Sequence, residues 1–408
     1  MELFKVMDVK EVIDTIRSNF KEGTLKERVE LSKALGRVLF EDIISAENIP
    51  GFIRSAVDGY GIISRASAGA SEAMPSLFNL KEEVRMGEAP REAIRNLGDC
   101  VYVPTGGMVP EGVDSIVMIE YTEKLDDNTI LINKPSYPGE NIVLEDEDIE
   151  RGELVIAKGT TLRPYEIGVL SSLGKSEVSV HKKLICGIIS TGDELVKPPM
   201  EPKPGQVRDI NSRLLSSLVE DNGGESVIYG IYNDDLNELR TAIVRAVDEC
   251  DMVLISGGSS VGKKDETLQA INTIEGAKLL VKGIAIKPGK PTLIASVKDK
   301  VIFGLPGHPL ACAVIFNTIV KEYFHINYCS NSMEYPLSCV ISTNYHKAKG
   351  REEFLPVMLK ADNGKITAIP IISKSGIISS FSKAFGYIRI GKNLEGLNEN
   401  DPVMVYKF

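Results

Sequence analysis

The sequence predicts a multidomain α/β protein: a three-layer α/β domain, an inserted β-rich domain, a mixed linking domain and a small C-terminal β-barrel. Three observations carry that prediction. Strand-like and helix-like runs alternate from Leu184 to about Phe324, the pattern of an open α/β domain. The stretch from Ser45 to about Asp148 is dense in Gly and Pro and holds only short strands. After Tyr328 the pattern is strand-only.

Taken in order, Asp8 precedes a helix that sets Val9, Val12, Ile13, Ile16 and Phe20 on or near one face. Asp8 with Glu11 has the spacing of a capping box. A short helix around Ser32 to Leu35 and a strand near Val38 to Ile44 follow. The Gly- and Pro-rich region contains strands at Cys100 to Val103 and Ile116 to Tyr121, and a hairpin around Asp126-Asp127-Asn128. Thr160 to Gly174 ends in a helix closed by Gly174 and is expected to pack on the N-terminal helices, which makes the β domain an insertion. The expected division is 1–44 with 149–182 (linking), 45–148 (inserted), 183–327 (α/β) and 328–408 (C-terminal). Helices are expected at Ser212 to Asp221, Leu236 to Glu249, Thr267 to Ile274 and Leu310 to Phe324, and strands at Ser226 to Ile231, Met252 to Ser256, Leu279 to Ile286 and Thr292 to Ala295. The C-terminal strands include a hairpin turning at Asp362-Asn363-Gly364, and strands this short also suit a sandwich.

Composition narrows the function. The 408 residues carry 43% apolar and 25% charged side chains, ordinary for a globular protein. A formal net charge of −10 argues against coating nucleic acid. No apolar run approaches the roughly 20 residues that span a bilayer. Met1 to Phe20 lacks the apolar core of a secretory signal, so a cytoplasmic protein is expected. Six scattered cysteines without a Cys-x-x-Cys read as reduced, mostly buried thiols. Four isolated histidines leave a His/Cys zinc site without support, whereas a hard cation held by carboxylates stays open.

The chemistry concentrates in loops that follow strands. Thr191-Gly192-Asp193-Glu194, Gly257-Gly258-Ser259-Ser260-Val261-Gly262 and Gly304-Leu305-Pro306-Gly307-His308-Pro309 each come directly after a buried strand-like run. In a doubly wound parallel sheet such loops meet at the carboxyl edge, where ligands bind. Glycine lets backbone N–H groups approach an anion, so a phosphorylated or otherwise anionic ligand is expected. Gly257 to Lys263 nearly matches a phosphate-binding P-loop, but Lys264 stands where Ser or Thr would hold Mg²⁺. Glu194, Asp234 and Asp265 fall in post-strand positions and are candidate ligands of a divalent cation bridging to the substrate. Lys287-Pro288-Gly289-Lys290-Pro291 offers two ammonium groups on a segment stiffened by proline. His308 opens a helix whose N-terminus favours an anion. Each of these alone is an ordinary turn, cap or solvated basic loop; the set on one sheet edge is what points to a site.

Taken together with Ser55-Ala56-Val57-Asp58-Gly59-Tyr60, Pro104-Thr105-Gly106, Gly139-Glu140-Asn141-Ile142 and Ser190-Thr191-Gly192-Asp193-Glu194-Leu195, these motifs resemble the molybdopterin molybdenumtransferase family, in family order over nearly the whole chain. The match is similar to the bacterial and archaeal members and to the C-terminal domain of gephyrin. The resemblance implies a homodimer whose active site combines the α/β domain of one chain with the inserted β domain of the other. It implies a Mg²⁺-dependent reaction in which adenylylated molybdopterin and molybdate enter, the phosphoanhydride is cleaved, AMP leaves and molybdenum stays on the dithiolene.

Carried over by position, it marks Asp58, Thr105, Asp148, Glu194, Asp234, Asp265, Lys287, Lys290, Arg351 and Ser375. Gly192, Asp193, Gly257, Gly258, Ser259, Ser260, Gly262, Pro288, Gly289, Pro306, Gly307 and His308 would line the substrate. Glu194, Asp234 and Asp265 would hold Mg²⁺ directly or through water, both lysines would hold phosphate and oxyanion, and Asp58 would position the oxyanion or relay a proton. His308 and the basic stretch Lys263-Lys264 depart from the family pattern and bear on oxyanion preference, leaving tungstate as an alternative to molybdate. A non-catalytic carrier of the pterin and an adenylyltransferase are the competing classes. Complete acidic and basic sets argue against the first, and the two extra β domains against the second.

Overall fold

The computed structural model describes residues 6–257, 266–330, 335–362, 364–372 and 378–408. Its contacts divide the chain into two compact units. One comprises Met1–Glu41, Lys158–Arg163 and Glu177–Phe408, the other Asp42–Ala157 and Pro164–Ser176.

The first unit is built on a six-stranded sheet. Its strands are β1 (Ile185–Thr191), β2 (Glu225–Tyr232), β3 (Met252–Ser256), β4 (Lys278–Lys282), β5 (Leu293–Val297) and β6 (Lys300–Leu305). They lie in the order β2-β1-β3-β6-β5-β4. β1 pairs in parallel with β2 and β3, and β3 with β6, while β5 runs antiparallel to both of its neighbours. The expected doubly wound parallel sheet is therefore a mixed one. Val297 and Lys300 are joined by a two-residue turn, too short to cross over and keep a parallel direction.

Alternation along the strands explains the three layers. Met252 and Leu254 of β3 enter one core and Val253 and Ile255 the other. Helices α1 (Asn211–Asp221) and α4 (Pro309–Ile315) cover the first face, and α2 (Leu236–Glu249) and α3 (Glu266–Asn272) the second. After α4 the chain continues helically as a π-type stretch, Phe316–Val320, and then Lys321–Tyr328. α2 starts where its sequence dictates, because the Asp235 carboxylate accepts the N–H groups of Asn237 and Glu238. The N-terminal helix Val9–Asn19 lays Val9, Val12 and Ile16 into the first core, and the Asp8 N–H donates to Glu11 Oε2 at 3.0 Å, as the capping box requires.

Strands Leu337–Ile341, Glu352–Asp362, Lys365–Pro370, Gly386–Ile390 and Pro402–Lys407 close into a five-stranded barrel through the pairing of Glu352–Asp362 with Gly386–Ile390. A two-residue strand, Ile286–Lys287, adds to it in parallel beside Glu352 and Glu353. The expected strand Leu279 to Ile286 is thereby split: its first part stays in the α/β sheet and its end is captured by the barrel. A single helical turn, Ile378–Phe381, interrupts the strand-only pattern expected after Tyr328.

The second unit holds a mixed six-stranded sheet with Ser76–Glu83 parallel to Asp99–Val103 at its centre, together with the helix Pro164–Ser172. Strand Ser115–Met118 ends in a 3-10 turn, Ile119–Tyr121, shorter than the expected Ile116 to Tyr121. The run Val38 to Ile44 forms no single strand: Val38 and Leu39 make isolated bridges, and only Ile43–Ile44 is a strand, because the chain passes from one unit to the other at Asp42. The expected helix at Ser32 to Leu35 is a 3-10 turn, Leu31–Lys33.

All six cysteines are free thiols, five of them buried. Burial pushes the Cys100 thiol up to about 12, which leaves it protonated and unreactive. Among the described residues no helix is long and apolar enough to cross a membrane.

Phe303 of β6 is fully buried, and its ring meets that of Tyr323 with centroids 6.4 Å apart at 75°. Phe303→Ala is expected to cost about 3–5 kcal/mol of stability, read as a lower denaturant midpoint.

Candidate active site

Three strands end level. Ser190 of β1 is paired with Ser256 of β3, and Ser256 with Leu305 of β6. The loops that follow open onto one cleft of about 1030 Å³, lined by Thr191 to Leu195, Val207 to Asn211, Ser256-Gly257 and Pro306 to Pro309. The basic loop reaches the same edge by another route. β4 lies two antiparallel steps from β6 and so runs parallel to it, and the chain returns through Pro291, which lines the cleft.

Two glycines are required here, Gly257 by close approach to backbone and Gly192 by its backbone conformation. Gly257 has φ +105°, and a Cβ there would sit 2.0 Å from the Thr191 carbonyl oxygen. Gly192 has φ +150°, and a Cβ would meet the Glu194 carboxylate at 2.8 Å. Side chains therefore cannot intrude where these two loops touch.

The acidic side of the cleft is ordered by short hydrogen bonds. Thr191 Oγ1 donates to Asp234 Oδ1 at 2.7 Å, and the Asp234 N–H donates to Asp193 Oδ1 at 3.1 Å. Asp193, Glu194 and Asp234, drawn from two different loops, thus share one rim. Their oxygen donors suit a hard cation such as Mg²⁺. Among the described residues no three His, Cys, Asp or Glu side chains group as a complete metal site, and Asp265, the third expected ligand, lies outside the described residues. Gly258, Ser259, Ser260, Gly262 and Ser375 lie outside them as well.

Beneath the loops is a polar floor that the sequence reading missed. Asp209 is buried; its Oδ2 accepts the Ser190 hydroxyl at 2.9 Å and its Oδ1 accepts the Ser212 N–H at 3.1 Å. Asn211 Nδ2 donates to the Gly307 carbonyl at 2.8 Å, which ties α1 to the Pro306-Gly307 turn. Among the described residues Asn211 Oδ1 is buried without a partner, and Asn211 belongs to the cleft lining. The available signal was the polar run Arg208-Asp209-Ile210-Asn211-Ser212 ahead of an apolar-periodic helix, which is a helix-start pattern.

On the basic loop, Lys287 Nζ lies 2.8 Å from Glu353 Oε1. Pro288, Gly289 and Lys290 follow, and Thr292 Oγ1 donates to the Gly289 carbonyl at 2.7 Å. Arg351 is exposed just before the barrel strand that pairs with Ile286–Lys287, so the structure brings it alongside this loop. His308 is exposed at the start of α4, with Pro309 in the first turn, and its carbonyl accepts the Cys312 N–H at 2.9 Å.

In the second unit, Asp58 and Thr105 meet: the Thr105 N–H donates to Asp58 Oδ1 at 2.8 Å. The Gly106 N–H donates to the Ser55 carbonyl at 2.8 Å, which holds the two loops together. Asp148 is exposed, and its N–H donates to the Ile49 carbonyl at 3.0 Å.

Comparison with known proteins adds three family matches in sequence. Residues 7–174 match the MoeA N-terminal region (domain I and II), 187–325 a model described as "probable molybdopterin binding domain", and 339–408 the MoeA C-terminal region (domain IV). A Methanocaldococcus jannaschii protein named for molybdopterin biosynthesis is 33% identical over 406 residues, covering 97% of this chain and 95% of its own. A Bacillus subtilis molybdopterin molybdenumtransferase is 29% identical over 393 residues, covering 95% and 91%. A Pyrococcus horikoshii crystal structure, described as a molybdopterin biosynthesis moeA protein, superposes with a TM-score of 0.88 at 32% identity over 99% of this chain and 100% of that one.

Gly257→Ala combines an unfavourable φ with a backbone clash. It is expected to destabilise the first unit by about 2–4 kcal/mol, read as a lower midpoint in thermal or denaturant unfolding.

Proposed function

This chain belongs to the MoeA family of molybdopterin biosynthesis proteins, and from that premise we propose that it is a molybdopterin molybdenumtransferase. It takes adenylylated molybdopterin and molybdate, the phosphoanhydride is cleaved, AMP leaves and molybdenum is retained on the dithiolene. The observation that best supports this reading is the convergence of three strand-end loops on one large cleft, with a carboxylate rim on one side and a basic loop arriving at the same edge.

The chain's own residues divide the work. Backbone at Gly192, Gly257 and Gly307 lets an extended anionic substrate lie close to the sheet edge. Lys290 supplies positive charge toward phosphate and oxyanion. Asp193, Glu194 and Asp234, with Asp265, are the residues that would hold Mg²⁺, whose charge would offset that of the substrate phosphates. Asn211 offers an unpartnered oxygen to a substrate N–H or O–H donor. Asp58 and Thr105, from a second copy of the chain, complete the site, in a four-domain, cytoplasmic homodimer.

The direct test is AMP release from purified adenylylated molybdopterin with Mg²⁺, comparing molybdate, tungstate and no oxyanion. Oxyanion-stimulated release with metal kept on the pterin is the expected result, and the better oxyanion names the metal. Tight binding without release under every condition would replace this reading with a pterin carrier.

Asp58→Asn retains a carbonyl oxygen for the Thr105 N–H, so the local fold should hold while the charge is lost. AMP release is expected to fall on the order of 10²-fold with the melting temperature unchanged. Glu194→Gln is expected to raise the Mg²⁺ concentration needed for half-maximal release, measured by Mg²⁺ titration.

A further inference from the structure

Lys287 and Lys290 stand in one short loop, but their electrostatic surroundings differ. Lys287 faces Glu353 across the strand pairing, with Nζ 2.8 Å from Oε1. The Glu353 side chain is only 5% exposed. Its Oε1 also accepts the Tyr345 hydroxyl at 2.6 Å, and its Oε2 is buried without a hydrogen-bond partner among the described residues. Among the described residues Lys287 is the cation that opposes this buried carboxylate. Lys290 forms no ion pair and no side-chain hydrogen bond with any described residue.

Charge arithmetic separates the two. An ammonium in contact with a carboxylate presents a dipole to a third group several ångströms away, and a dipole's field falls faster than that of a lone charge. A buried carboxylate that loses its one cation is costly, so the pair is held together by the burial of Glu353. The pairing also lies where the α/β domain hands Ile286–Lys287 to the barrel, and the Glu352 N–H donates to the Ala285 carbonyl at 2.9 Å in the same seam.

We propose that Glu353 is a positioning residue that engages Lys287 as a strut between the basic loop and the barrel, leaving Lys290 as the cation of this loop that binds the oxyanion or phosphate. The assignment of the ligand rests on the transferase reading above; the strut itself does not.

Four variants test it: Lys287→Met, Glu353→Gln, the double Lys287→Met/Glu353→Gln, and Lys290→Met. Each is read by thermal melting and by oxyanion-stimulated AMP release. Lys287→Met alone should lower Tm on the order of 10 °C by stranding the Glu353 carboxylate. The double variant, which removes both charges and keeps an acceptor for Tyr345, should recover most of that Tm and most of the turnover. Lys290→Met should keep the parental Tm and lose about 10²-fold in oxyanion-stimulated release. A double variant that regains Tm but stays inactive would overturn the division of labour and make Lys287 an anion ligand in its own right. If the unsubstituted protein releases no AMP, the transferase reading fails, and melting alone then decides the strut: a Lys287→Met variant as stable as the parent would sink it.

Discussion

Ser190, Ser256 and Leu305 stand side by side across three paired parallel strands, and the register between them decides where every loop of the site begins. A slip of one residue would turn each strand's core side chains to the opposite layer, so two separate cores enforce that register. Because the strand ends are level, the Thr191 carbonyl comes against Gly257 with no room for a side chain between them. The acidic rim then follows from hydrogen bonds across the loop ends, Thr191 to Asp234 and Asp234 to Asp193. Precision at the site is thus inherited from packing far below it.

The polar floor gives this edge its stiffness. Asp209 is a carboxylate buried under the cleft, and it is tolerated because both of its oxygens accept hydrogen bonds, one from Ser190 on β1 and one from the first turn of α1. Asn211 extends the same network to the Pro306-Gly307 turn. A network of this kind rigidifies what it joins, and here it joins a strand, a helix start and a loop of the cleft.

Much of this was legible in the sequence, for reasons that can be named. The bounds of β3 and α2 were read to the residue, because a glycine follows the strand and Asp235 caps the helix. Local chemistry fixed those ends, and local chemistry is what a sequence displays. The departures all involve partners distant in the chain. The end of the strand expected at Leu279 to Ile286 is drawn away by Glu352 and Glu353, more than sixty residues on. The antiparallel course of β5 depends on a two-residue turn followed by pairing with β6. Asp209 and Asn211 looked like a helix start, and only the folded sheet shows that this start forms the floor of a cleft. Lys287 looked equivalent to Lys290 because its partner lies in another domain.

The two-residue strand Ile286–Lys287 belongs to the α/β segment by sequence and to the barrel by hydrogen bonding. The C-terminal barrel is therefore not a cassette that recombination could swap at the chain crossing between the two. A foreign barrel would have to bring its own edge for residues 286 and 287 and its own acid for Lys287, or the incoming sequence would have to carry both ends of the seam. Inheritance of the barrel is in this sense linked to inheritance of the basic loop, and the two should drift together when such chains diverge.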